Sequence, residues 1–172
     1  MAEEIVNRVA NSKLAVIDLE AYYPEGRRIL FDISDWLWEG LILKEKDFRE
    51  QAKNHDWSQY QDAYVALTCS TEAIIPGWAY LLLSSYLNPY AAQVVVGNLD
   101  TLETVLYSSI INSMDFTEYE NKPVIIKGCA DKVIPETAFV LLMQKLQPVA
   151  RSIMYGEACS SVPLYKKKKV RE

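Results

Sequence analysis

Laid over itself with Asp56 placed on Asp115, this chain repeats. The segment DWSQYQDAYVALTCSTEAIIPGWAYLLLSSYLNPYAAQVVVG, residues 56–97, falls without a gap on DFTEYENKPVIIKGCADKVIPETAFVLLMQKLQPVARSIMYG, residues 115–156. Of the 42 aligned positions 12 are identical, among them Asp56/Asp115, Tyr60/Tyr119, Val65/Val124, Pro76/Pro135, Leu87/Leu146, Pro89/Pro148 and Gly97/Gly156. Chance identity is roughly one position in sixteen. Self-similarity at a fixed period marks an internal duplication, and it requires one supersecondary unit to be built twice.

Each copy decodes as strand–helix–strand. Residues 63–68 and 123–127 are apolar runs of strand length. Pro76 and Pro135 suit a first helical turn, where a missing N–H costs nothing. Residues 76–88 and 135–147 are Leu- and aromatic-rich and long enough for helices, which Pro89 and Pro148 then stop. QVVVG and SIMYG supply the second strands. A linking helix is expected over 101–113, with Asp100 as its N-cap. Strands joined by helical crossovers run parallel.

The expected fold is therefore α/β. Internally duplicated strand–helix–strand units form a mainly parallel sheet, with strands near 63–68, 92–96, 123–127 and 151–155. Unbroken apolar strands call for helices on both faces. LAVIDL (14–19) and RRILFDI (27–33) flank a Pro-Glu-Gly turn and are expected as an N-terminal hairpin or edge strands. Ser34 is placed as the cap of a short helix. Residues 44–53 form a charged helix that matches the linking helix at the same offset. The repeat copies span about 39–97 and 98–156 of a single domain, 1–165, before a basic tail, 166–172, that is expected to be disordered.

The 172 residues suit one domain with a core that needs no staples. A net charge of −5 and a pI near 5.0 argue against a general nucleic-acid binder. MAEEIVNRVANSK lacks the apolar core of a signal peptide, and no apolar run reaches the ~20 residues of a membrane span. Three cysteines without an export signal point to free thiols in a reducing cytoplasm. Trp36, Trp38 and Trp78 exceed what a small core needs and point to an apolar patch for homodimerisation. Lys166 to Lys169 with Arg171 read as a solubilising tail, or alternatively as a contact for nucleic acid or an acidic partner.

Ligands bind outside the carboxyl ends of parallel strands. On the expected sheet that edge collects the loops starting at 68–71, 97–98, 127–131 and 156–161, and with them Cys69, Cys129 and Cys159. Three thiolates with one more ligand would suit zinc, iron or an iron–sulfur cluster. No CxxC is present, so the same cysteines also read as small side chains packed where strands end, or as reactive, persulfide-carrying thiols. Ser70, Gly128 and Ser160 are candidates for cradling a ligand. Asp131 and Glu157, with Glu72, are candidate acid–base groups or oxygen ligands. His55, the only histidine, precedes strand 63–68 and is expected at a helix end, away from Cys69. There is no GxGxxG and no GxxxxGK[ST]. DWSQY and DFTEY are expected to form local turns in which the Asp side chain binds backbone.

The pieces LILKEKDFREQAKNHDWSQY, VIIKGC and GEACSSVPLYK together resemble the bacterial domain-of-unknown-function family 2480, over almost the whole chain. The resemblance implies an accessory role alongside iron–sulfur assembly proteins and transfers no catalytic residue. The expected function is thus a non-enzymatic accessory protein binding metal, sulfur or a partner through the cysteine-bearing edge. Two alternatives remain: a small-molecule enzyme using the same edge, and a purely structural dimeric module.

Overall fold

A computed structural model describes residues 14–128, 131–157 and 160–168. It is α/β, and its strands form two sheets. The chain divides into two compact units. A continuous unit runs from Pro24 to Leu106. A split unit combines residues up to Tyr23 with those from Tyr107 onward.

The continuous unit holds β2 (Arg28–Asp32), α1 (Glu45–Asn54), β3 (Tyr64–Thr68), α2 (Gly77–Leu87) and β4 (Gln93–Val96). Its sheet has the order β2-β3-β4 with both pairs parallel. Alternation along β3 separates two cores. Val65 and Leu67 face Phe48 and Ala52 of α1 and Ala79, Leu83 and Leu87 of α2. Ala66 faces the other way, onto Leu102 and Leu106 of α3 (Leu99–Ser113). Helices therefore cover both faces of this sheet, as unbroken apolar strands require.

The split unit holds β1 (Ala15–Ile17), the second half of α3, β5 (Pro123–Ile126), α4 (Glu136–Leu146), β6 (Ser152–Glu157) and β7 (Ser160–Lys166). Its sheet has the order β1-β5-β6-β7, with only the last pair antiparallel. Val124, Ile126 and Ile153 pack with Tyr107 and Ile111 of α3 and Ala138, Leu142 and Leu146 of α4.

The single four-stranded sheet expected from the sequence is thus replaced by two. Its four strands all form, but β1 and β2 do not pair with each other as a hairpin. Each takes an edge, β1 beside β5 and β2 beside β3. With β2 on one side and β4 on the other, β3 has no free side left, and β5 is closed in the same way by β1 and β6.

Residues matched by the repeat take the same local form. Asp62 and Asn121 both have positive φ, 56° and 55°. Their N–H groups donate to Tyr90 and Val149 carbonyls, each at 2.9 Å. Pro76 and Pro135 both precede the first helical residue with φ −68°. Gly97 and Gly156 sit at φ +142° and +120°, where a Cβ would come within 2.7 Å of Thr101 Oγ1 and 2.6 Å of the Ser160 carbonyl. Asp56 accepts from Ser58, and Asp115 from Thr117, in the expected local turns.

Two caps differ from expectation. Asn98 Oδ1, not Asp100, accepts the Thr101 N–H at 2.9 Å and caps α3, which begins at Leu99 rather than at the expected Thr101. Asp32 caps the 3-10 turn Ile33–Trp36 by accepting the Ser34 N–H, so Ser34 lies inside the turn. The C-terminal run also enters the sheet earlier than its basic composition suggests. Lys166 is the last residue of β7, and Lys167 N–H donates to the Arg151 carbonyl. A bulge between Ile153 and Met154 lets β7 carry Pro163 on an outer strand.

Candidate functional site

Asp18 directly follows β1 and Asp32 ends β2, and each aspartate caps the 3-10 turn that follows. A parallel neighbour then brings the start of the next loop against that turn. The result is one polar cluster at the carboxyl end of each sheet.

In the continuous unit, Asp32 Oδ1 accepts the N–H of Ser34 at 2.9 Å and of Ser70 at 3.0 Å. The Ser34 and Ser70 hydroxyls lie 3.0 Å apart. Burial raises the Asp32 carboxyl, but hydrogen bonds from Ser70 and Ser34 outweigh it and hold the pKa down at about 2. Cys69 is half-buried, its Sγ 3.4 Å from Thr71 Oγ1, which donates to the Gly40 carbonyl at 2.7 Å. Burial, with Cys69 beside it, pushes the Tyr80 phenol up.

In the split unit, Lys127 Nζ donates to Asp18 Oδ2 at 2.7 Å. That bond, the Asp18 charge, and the more distant Glu157 and Glu20 raise the Lys127 pKa against a small opposing effect of burial. Asp131 N–H donates to Glu20 Oε2 at 3.2 Å. Gly128 lies beneath Tyr155. A Cβ there would meet the ring at 2.8 Å, and the phenol reaches the Gly128 carbonyl at 3.5 Å. Glu157 ends β6 opposite Ser160, the first residue of β7.

The structure therefore sorts the candidate residues into two groups. Ser70 and Cys69 belong to the continuous unit; Gly128, Asp131, Glu157 and Ser160 belong to the split unit. Cys129 and Cys159 lie outside the described residues. Gly128, which precedes Cys129, follows β5, and Cys159 falls between Glu157, the last residue of β6, and Ser160, the first of β7. Those strands belong to a different sheet from the one whose strand β3 leads into Cys69. Among the described residues no group of three or more His, Cys, Asp or Glu is arranged for a metal ion. His55 closes α1 and bonds Tyr60 OH through Nε2 at 2.9 Å. Glu72 lies with Glu45 on an open groove of about 680 Å³ lined by Leu41, Ile42, Ile74 and Trp78.

The match to a family model runs across these elements, over residues 3–167.

The chain belongs to the family of proteins of unknown function DUF2480.

No curated protein and no solved structure matches this DUF2480 chain. Among its described residues no helix is long and apolar enough to cross a membrane. Sequence reasoning on this DUF2480 member missed Asp18, Glu20, Asp32 and Ser34. Their signal was present as an aspartate ending each N-terminal apolar run, in segments too short for self-comparison to register.

Proposed function

We propose that this DUF2480 chain is a non-enzymatic accessory protein of the reducing cytoplasm. It binds a soft metal ion, zinc or iron, or sulfur, through Cys129 and Cys159, and works alongside iron–sulfur assembly proteins. One observation carries the reading. β5 and β6 are adjacent and parallel, with Ile126 opposite Tyr155, so the chain heads toward both cysteines from neighbouring strand ends at one edge. Strands in a sheet lie about 4.8 Å apart, a spacing from which two thiolates reach one metal. The same edge carries the carboxylates of Asp18, which pairs with Lys127, and of Glu20, which accepts the Asp131 N–H. Lys127 lowers the cost of gathering that negative charge. Cys69, in the other sheet, is a separate thiol in this reading.

The matched local geometry of the two copies supports a duplicated ancestry, in which Ser70 of one copy aligns with Cys129 of the other.

The test is a zinc and ferrous-iron titration of the untagged full-length chain under anaerobic conditions, read against a chromophoric chelator. The wild type and Cys69→Ser are expected to hold about one equivalent, and Cys129→Ser/Cys159→Ser to bind at least roughly tenfold more weakly. Equal affinity in the double variant, or no metal retained by the wild type, refutes the assignment.

A further inference from the structure

We infer that the open groove of the continuous unit docks a partner protein, through a short peptide segment that combines apolar side chains with lysine or arginine. The groove has a volume of about 680 Å³, and Leu41, Ile42, Ile74 and Trp78 form its apolar lining together with neighbouring side chains. Leu41, Ile42 and Ile74 are 56%, 50% and 92% exposed. Apolar side chains gathered in this way on a surface mark a place that another molecule covers.

The walls of the groove are fixed by hydrogen bonds. Trp38 N–H donates to the Ile42 carbonyl at 2.9 Å, and Ile42 N–H to the Trp38 carbonyl at 3.1 Å. Between them Glu39 and Gly40 take positive φ, 51° and 71°, and close a tight turn. Thr71 Oγ1 donates to the Gly40 carbonyl at 2.7 Å, which fastens this turn to the loop carrying Glu72 and Ile74. A surface held in place beforehand loses little entropy when a partner arrives.

Shape and charge together select the occupant. A metabolite site encloses roughly 70–90% of its ligand, which an open trough does not, whereas a peptide laid along a groove is buried on one side only. The charged side chains of the lining are Glu45 and Glu72. Glu45 accepts from Arg49 on its own helix, while Glu72 is exposed and makes no ion pair among the described residues. Lys44 lies over the Trp38 ring at 4.0 Å and Arg49 over Trp78 at 5.1 Å, so both cations are engaged with indoles. From Pro24 to Leu106 the sequence carries 12 acidic and 6 basic side chains, which makes the field of the whole unit negative. A basic segment is therefore drawn to the groove, and phosphate-bearing nucleic acids and anionic membranes are repelled. A second copy is a poor occupant, because a twofold contact sets Glu45 and Glu72 against their own images.

The experiment selects a display library of random peptides of about twelve residues on the full-length wild type. The most enriched sequence is then synthesised and titrated by fluorescence anisotropy. The enriched peptides are expected to combine apolar or aromatic residues with lysine or arginine, and to bind more weakly as salt rises. Ile74→Ser and Glu72→Lys change exposed side chains and are expected to keep wild-type circular dichroism. Each is expected to raise the peptide's dissociation constant at least roughly tenfold. Selection that enriches nothing, enrichment without basic residues, or wild-type affinity in either variant overturns the proposal. Phosphatidylserine vesicles bound by the wild type but not by Ile74→Ser give the groove to a membrane. A dimer in sedimentation velocity that Ile74→Ser abolishes gives it to a second copy. Either result overturns the proposal as well.

Discussion

His55 sits among the rings of Phe31, Trp36, Trp57 and Tyr60, with centroids 5.8, 5.3, 4.7 and 5.7 Å away. Burial lowers its pKa below the ordinary value, against the opposing charge of Asp56. The unfolded chain therefore takes up a proton at higher pH than the folded one, so stability rises with pH across that interval. The contribution is fully present above the unfolded value of about 6.5 and is lost as pH falls toward the lower folded value. Thermal melts of the wild type are expected to weaken from pH 7.5 to 5.5, and those of His55→Gln to weaken less over the same range. An equal slope in the variant would remove His55 as the cause. The histidine's place at a helix end was readable from its position before a strand. Its aromatic surroundings were not, because Phe31 and Trp36 come from a segment whose pairing partner the sequence did not reveal.

At the scale of elements, the edge strand β2 is tied to α3 by one ion pair. Arg28 Nε meets Glu103 Oε1 at 2.7 Å, with side chains 13% and 7% exposed. Arg28 also donates to the Pro24 and Gly26 carbonyls and lies over the Tyr64 ring, so it is held from several sides. Removing the carboxylate takes an ion-pair partner from a largely buried guanidinium. Glu103→Ala is expected to cost about 2–4 kcal/mol in urea unfolding, and the paired Arg28→Met/Glu103→Met less than the single change. A single variant within about 0.5 kcal/mol of wild type would show the pair to be dispensable. The helices α2 and α4 were legible within a residue at each end, because Pro76, Pro89, Pro135 and Pro148 act locally on backbone dihedrals. The partner of β2 was not legible. A short apolar run such as Arg28–Asp32 fits either a hairpin or a parallel edge, and only long-range pairing with β3 decides between them.

On the scale of the whole molecule, the two units carry separate cores built from matched residues. Val65 and Val124, equivalent positions of the two copies, are both fully buried, one in each core. Val→Ala at either position removes two buried carbons and is expected to cost about 1.5–3 kcal/mol. Because the two sites share no core, their effects are expected to add within about 0.5 kcal/mol in the double variant. A coupling energy well above that in denaturant unfolding would show that the cores act as one.

The amino-acid sequence alone determined the strand–helix–strand order, the limits of α2 and α4 and the local aspartate turns. Each of these is a short-range consequence of side-chain periodicity, proline geometry or a side chain reaching its own backbone. Only the tertiary structure decided that the strands divide between two sheets, that β7 pairs beside β6, and that Cys69 follows a strand of one sheet while Gly128 and Glu157 belong with the other. Backbone hydrogen bonds between strands are the same for every residue type, so the choice of neighbour leaves no local mark.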